Sequence, residues 1–283
     1  MFYKFISKNL LFVCFIFLLP VLILATGCKL PQTFNPLTAS RLRSVELEHL
    51  GNTALERGDN QAAEKYLSDA LRLNRRDVEL RRSYAESLWQ QGKQHESLEQ
   101  LRYAQKYGDK NGVTLNISLA EKLLVLGDID GAYAQAEEAV KLAPQDARGW
   151  ALRGKTILAS VQKQLNNPNK QNEIANNESG NQQNITTSDK IRELIIKSRN
   201  DYYRAISIDP ENRDVLADLA NVQLLAGQPE QSLVTLQNLQ DQYPPDSLPP
   251  EILRIKARSY LALKKYDDAN RCLAAANKMT ELK

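Results

Sequence analysis

The chain has 283 residues, with 37 basic and 34 acidic side chains and a formal net charge of +3. That balance lacks the clustered excess of Lys and Arg that marks a nucleic-acid-binding protein. Three cysteines, two histidines (His49 and His95) and scattered carboxylates form no metal-ligand spacing, phosphate loop or nucleophile motif, which argues against an enzyme, a bound metal and an organic cofactor.

Residues 1–28 read MFYKFISKNLLFVCFIFLLPVLILATGC. Lys4 and Lys8 open the segment, an apolar run extends from Leu10 to Ala25, and the small residues Thr26 and Gly27 precede Cys28. A basic start, an apolar centre and a small-residue end form a secretory signal. The run is long enough that an uncleaved membrane anchor competes with cleavage, although Pro20 speaks against a plain spanning helix. The ending ATGC resembles the bacterial lipobox, with Ala25 where leucine is usual and Leu24 one step earlier. The resemblance implies a signal peptide over 1–27, cleavage before Cys28 and acylation (palmitate) of its thiol. Two or more acyl chains anchor a protein stably without a spanning helix. Lys29 stands where an aspartate often marks inner-membrane retention, so the outer membrane of a bacterial envelope is the expected address, with the chain facing the periplasm. Without the two leader lysines, 35 basic groups face 34 acidic ones, a net +1. Residues 28–43 then read as a short tether, with Pro36 a break before the first helix and Thr38 or Ser40 as its cap.

From residue 44 onward small residues recur at a fixed interval. Ala63, Ser97 and Ala132 are 34 and 35 residues apart, and Ser198 and Ser232 are 34 apart. Gly58, Gly92, Gly127 and Gly227 recur with them. Within residues 44–77, Leu47, Leu50, Ala54 and Leu55 fall at helical spacing, Gly58-Asp59 interrupts, and a second helical run follows through Ala63, Tyr66, Leu67, Ala70 and Leu71. Two antiparallel helices in so short a span need small side chains where they cross and a residue tolerant of positive φ between them. The small positions recur as Gly51/Ala63/Ala70, Ala85/Ser97/Ala104, Ala120/Ala132/Ala139, Gly154/Ser198/Ala205, Ala220/Ser232/Leu239 and Ala257/Ala269/Ala276, with Leu239 the one large exception. Pro144, Pro210 and Pro244 close repeats in the phrases LAPQD, IDPEN and QYPPD.

This pattern resembles the tetratricopeptide repeat family over roughly residues 44–280. The resemblance implies an all-α, right-handed superhelical solenoid of about six helix-turn-helix repeats, at about 44–77, 78–112, 113–146, 147–212, 213–246 and 250–283. Leu47, Leu50, Trp150, Tyr202 and Leu236 read as core. The fourth repeat carries an insert over 166–188, rich in Asn and Gln and expected to be disordered, after which the helical pattern resumes at Ile191 with Ser188 as a plausible cap. A basic stretch, Arg72, Arg75, Arg76, Arg81 and Arg82, is interleaved with Asp77, Glu79 and Glu86. It reads as a solvated face with local ion pairs, or as a surface for anionic lipid or an acidic partner.

By family position the first helix of each repeat lines a concave surface. This places Glu48, Asn52 and Leu55; Arg82, Glu86 and Trp89; Ile117, Glu121 and Leu124; Ala151 and Lys155; Ala217, Asn221 and Leu224; and Arg254, Arg258 and Leu261 on a partner-binding face. The mixture of charge and apolar spots suits a helix or an extended peptide. Glu48 stands where recognition of a C-terminal carboxylate would need a lysine. The expected function is a lipid-anchored, non-catalytic scaffold that holds protein partners, similar in plan to tetratricopeptide lipoproteins of bacterial envelope assembly and secretion. The alternative is a structural protein that self-assembles through its terminal repeats.

Overall fold

In the computed structural model, residues 36–107, 112–166, 182–244 and 247–281 are described. Residues 1–27, Cys28 and Lys29, and insert residues 167–181, lie outside them. Among the described residues all regular structure is helical, in six successive hairpins: α1 (Pro36–Glu56) with α2 (Asn60–Leu73), α3 (Val78–Gln90) with α4 (Gln94–Tyr107), α5 (Val113–Val125) with α6 (Ile129–Leu142), α7 (Ala147–Leu165) with α8 (Gln182–Ile208), α9 (Arg213–Leu225) with α10 (Pro229–Gln240), and α11 (Pro250–Ala262) with α12 (Tyr266–Glu281).

The turn inside each hairpin is dictated locally. Gly58, Gly92, Gly127 and Gly227 all adopt φ between 74° and 79°. At each, the glycine amide bonds back three residues and the next amide bonds back five, as in Gly127 N to Leu124 O at 3.0 Å and Asp128 N to Leu123 O at 2.9 Å. This double closure satisfies helix-end carbonyls and needs a left-handed residue, hence the recurring glycine. The last hairpin makes the same closure with Lys264 at φ 59°. An aspartate caps two of the second helices: Asp59 accepts from Ala62 N at 3.1 Å and Asp128 from Gly131 N at 3.0 Å.

All eighteen recurring small positions, Leu239 included, are buried. A Cβ built on Gly51 would come within 2.5 Å of Leu67 Cγ, and one on Gly154 within 3.2 Å of the Ser198 carbonyl. Where serine replaces alanine, its hydroxyl bonds across the crossing: Ser97 Oγ donates to Ala85 O at 2.6 Å and Ser198 Oγ to Gly154 O at 2.8 Å. A buried hydroxyl left unpaired would cost stability, so position and partner are specified together. The apolar side chains form five clusters, each shared by consecutive hairpins; one joins Leu158, Val161, Ile195, Tyr202 and Leu219 across the fourth and fifth. Among the described residues no single central core exists, as expected of a solenoid.

Several sequence expectations are corrected. The first helix begins at Pro36 and takes in much of the 28–43 tether; Pro36 sits in its first turn, where a missing amide hydrogen costs nothing. Helix α8 begins at Gln182, so the last residues of the 166–188 insert are helical and the restart lies nine residues before Ile191. Leu50 is 39% exposed rather than core. Trp150 is half-buried and donates from Nε1 to Pro144 O at 2.9 Å, whereas Leu47, Tyr202 and Leu236 are buried.

Candidate functional site: the concave groove

Helices α5, α7, α9 and α11 touch one another in succession, while no comparable contact joins successive second helices among the described residues. The array therefore curves toward its first helices. On that inner side lies a groove of about 560 Å³. Helix α7 forms its floor with Arg148, Ala151, Leu152 and Lys155; α5 supplies Glu121, Leu124 and Val125 on one side; and Asn212, Asp214, Val215 and Asp218 stand opposite.

The two walls differ chemically. Val125 is 71% exposed and with Leu124 offers an apolar ledge. Asp214 and Asp218 lie four residues apart on α9, one turn of one face. Burial pushes the Asp218 carboxyl above its ordinary range; the Lys155 charge and the Tyr202 hydroxyl, which donates to Oδ2 at 3.3 Å, oppose that, and Asp214 adds to it. Burial and Asp218 in turn hold the Tyr202 phenol well above its ordinary value. Arg148 is tied to Asp146 by Nε and Nη2 contacts of 3.0 and 2.6 Å, whereas Lys155 is exposed and makes no ion pair among the described residues. Beneath the floor Arg153 grips Asp201 through both carboxylate oxygens, at 2.8 and 2.7 Å, fixing α7 to α8.

The predicted face divides into three. Glu121, Leu124, Ala151 and Lys155 come together in the groove. In the N-terminal part, Glu86 and Trp89 are occupied by Lys122, whose ammonium lies 2.6 Å from Glu86 Oε2 and 4.8 Å from the Trp89 ring centre. Burial raises the Glu86 carboxyl, but the Lys122 bond and charge outweigh it and leave the group below its ordinary value. Arg82 is paired with Glu79 at 2.9 Å, and Glu48 is raised by burial and by Asp77 and Glu79; Asn52 and Leu55 are half-buried beside it in sequence. Toward the C-terminus, Arg258 donates to Asn221 Oδ1 at 3.3 Å and Arg254 to Thr280 Oγ1 at 3.4 Å; Ala217 and Leu224 are half-buried and Leu261 is exposed. Ile117 is corrected: at 4% exposure it packs with Ala120, Ala136, Ala139 and Leu152, because α7 covers it.

Sequence reasoning missed Val125, Arg148, Asp214 and Asp218. The aspartates were within reach, since they share the α9 face with Asn221 at helical spacing; Val125 is marked by no motif. Among the described residues no group of three or more His, Cys, Asp or Glu side chains is placed to hold a metal. Cys272 is half-buried, and its burial raises the thiol.

Two family models, each described as tetratricopeptide repeat, match residues 49–111 and 198–248. Both stretches are tetratricopeptide repeats. No curated protein sequence matches the chain. Solved structures share the fold of its repeats. Pseudomonas aeruginosa pilF superposes with a TM-score of 0.63 at 13% identity, covering 88% of this chain and 100% of that one. The human IFIT1 dimer with m7Gppp-AAAA gives 0.61 at 18% identity, over 77% of this chain and 45% of that one. YrrB, described as a TPR protein with an unusual peptide-binding site, gives 0.52 at 12%, over 74% and 90%. At such identities the tetratricopeptide fold is what these structures share with the chain. A capped RNA in one and a peptide site in another show that the fold alone does not choose the ligand.

Proposed function

We propose that this chain is a non-catalytic scaffold of the bacterial cell envelope, anchored by a lipid on Cys28, that holds a segment of a protein partner in its concave groove. One observation carries the binding half: three consecutive first helices build an open groove of about 560 Å³ in which an apolar ledge, an exposed ammonium and a pair of carboxylates face the same space. Side-chain pockets of alternating character beside a rigid helical wall suit an extended or helical peptide. The peptide site named for YrrB lends this reading support. The anchoring half rests on the ATGC sequence after the apolar run. Among the described residues no helix is long and apolar enough to cross a membrane.

A photo-crosslinking residue at Val125 tests the binding half in cells. It should join the chain to a discrete partner, and Lys155→Glu should weaken the product, while the same probe at Val234, exposed on α10, should not form it. Equal products at both positions would reject the groove. Intact mass of membrane-extracted protein tests the anchor: a chain beginning at Cys28 with acyl mass is expected, and Cys28→Ser should leave the precursor uncut.

The second reading, self-assembly through terminal repeats, has one observation in its favour. Leu42 and Val45, large apolar side chains of the first described helix, are 67% and 63% exposed. Light scattering of the detergent-solubilised chain should show a single copy if the scaffold reading holds; oligomers lost in Leu42→Glu would favour assembly.

A further inference from the structure

Among the described residues, the turn between α2 and α3 leaves two cations without an ion pair. Asp77, the turn's carboxylate, is engaged: it accepts from Leu80 N at 3.0 Å and from Asn74 Nδ2 at 3.0 Å. Arg81 is turned inward, donating to the Arg75 carbonyl and to Gln100 Oε1, both at 2.6 Å, with its guanidinium 4.1 Å from the Tyr103 ring centre. Arg72 pairs with Asp69 and Arg82 with Glu79. Arg75 and Arg76 remain exposed, with no ion pair among the described residues. Beside them the Tyr103 and Tyr107 rings meet at a tilt of 44° with centroids 4.6 Å apart and stay 43% and 56% exposed, with Lys106 5.1 Å from the Tyr107 ring centre.

We propose that this edge, Arg75, Arg76 and Lys106 around the Tyr103–Tyr107 pair, docks on an anionic lipid bilayer, an inference that rests on the anchoring reading above. Exposed tyrosines flanked by long cationic side chains suit the headgroup layer, where the ring body is dehydrated while the hydroxyl and the charges stay wet. Anionic headgroups attract such clusters within a Debye length of the surface. Position supplies the second argument. Ser44 Oγ donates to Ala70 O at 3.2 Å, which sets the start of α1 beside the end of α2, five residues before Arg75. Helix α1 then projects eight residues beyond Ser44, about 12 Å, on the side of this turn. Cys28 lies eight residues before Pro36 and so reaches at most about 28 Å from it. An anchored chain therefore keeps this edge within tether reach of the bilayer. Acidic protein surfaces would also attract arginines, but the tyrosine pair and the short tether favour lipid.

The test uses the full, lipid-bearing chain in phosphatidylcholine vesicles with and without phosphatidylglycerol, read by amide hydrogen exchange. Amides of 74–77 and 104–107 should exchange several-fold more slowly on the anionic vesicles than on the neutral ones, and high salt should reverse the slowing. Arg75→Glu with Arg76→Glu should abolish it while the chain stays on the vesicles and keeps its helical circular dichroism. A chain that floats with both vesicles and exchanges equally overturns the docking edge alone. One that floats with neither overturns the anchoring reading and this inference together. Slowing that survives the double substitution, or that needs an added protein rather than lipid, also overturns it.

Discussion

Two stretches of the same concave surface end in opposite states. Between α3 and α5, Lys122 is drawn under Glu86 and Trp89 and is only 8% exposed. Between α5, α7 and α9, Lys155 stays exposed, Asp214 and Asp218 face it without closing on it, and the groove stays open. A repeat array sets where side chains emerge; whether neighbours neutralise each other decides whether a surface position is glue or a free contact. The closed stretch stiffens the junction of the second and third hairpins, and the open one is left for a guest.

The largest effect should come from the support under the open stretch. Asp201, with its side chain 5% exposed, is gripped by Arg153. Asp201→Ala leaves that guanidinium without its partner, and breaking a buried pair from one side costs about 3–5 kcal/mol. Urea unfolding should show the loss, with exchange in α7 and α8 rising first. A loss below about 1 kcal/mol would mean that solvent reaches Arg153 freely.

Breaking the clamp should cost less. Lys122→Ala removes a charged hydrogen bond and a ring contact, but Glu86 keeps over a third of its side chain exposed, so about 1–2 kcal/mol is expected. A double cycle with Glu86→Gln should recover a coupling between the two. Additive losses would show that the closed stretch is no clamp.

The pH dependence should have opposite signs in the two stretches. Glu86 sits below its ordinary value, so it adds stability at neutral pH that disappears as pH falls through its folded value. Asp218 sits above its ordinary value, so its ionisation subtracts stability as pH rises through the window between the unfolded and folded values. Glu86→Gln should therefore lose against the parent at pH 7 and match it in acid. Asp218→Asn should gain at pH 7, and its advantage should vanish toward pH 4, near the unfolded carboxyl value. Denaturant titrations at several pH values check both, and like signs would erase the distinction.

The smallest effect on folding belongs to Val125→Glu. At 71% exposure the side chain holds nothing together, and stability should move by no more than about 0.5 kcal/mol. Partner crosslinking from the groove should nevertheless fall. Intact binding with intact stability would move the guest elsewhere on the array.

Much of this was legible beforehand, and the reason is steric. The seventeen small positions could be read from spacing alone, because a large side chain at most of these helix crossings has nowhere to go; Gly51 against Leu67 is the plainest case. The turn glycines were equally legible, since the left-handed φ between paired helices excludes most residues. Helix starts were read less well. Pro36 and Gln182 lie where polar sequence is compatible with helix or coil, and pattern alone could not choose. Leu50 and Ile117 exchanged roles, one exposed and the other buried, because each depends on a neighbouring hairpin that local periodicity does not describe.

The chain by itself determined the hairpin, its turns, its small crossings and the approximate face that each first helix turns inward, all consequences of backbone sterics and local spacing. Tertiary structure alone decided which charges on that face meet. Lys122 reaches Glu86 across 36 residues and Arg153 reaches Asp201 across 48, and no local signal says which of many Lys and Arg side chains will find a carboxylate. Ionic contacts depend on distances of a few ångströms between separate helices, so only the stacked array distinguishes the closed stretch from the open groove.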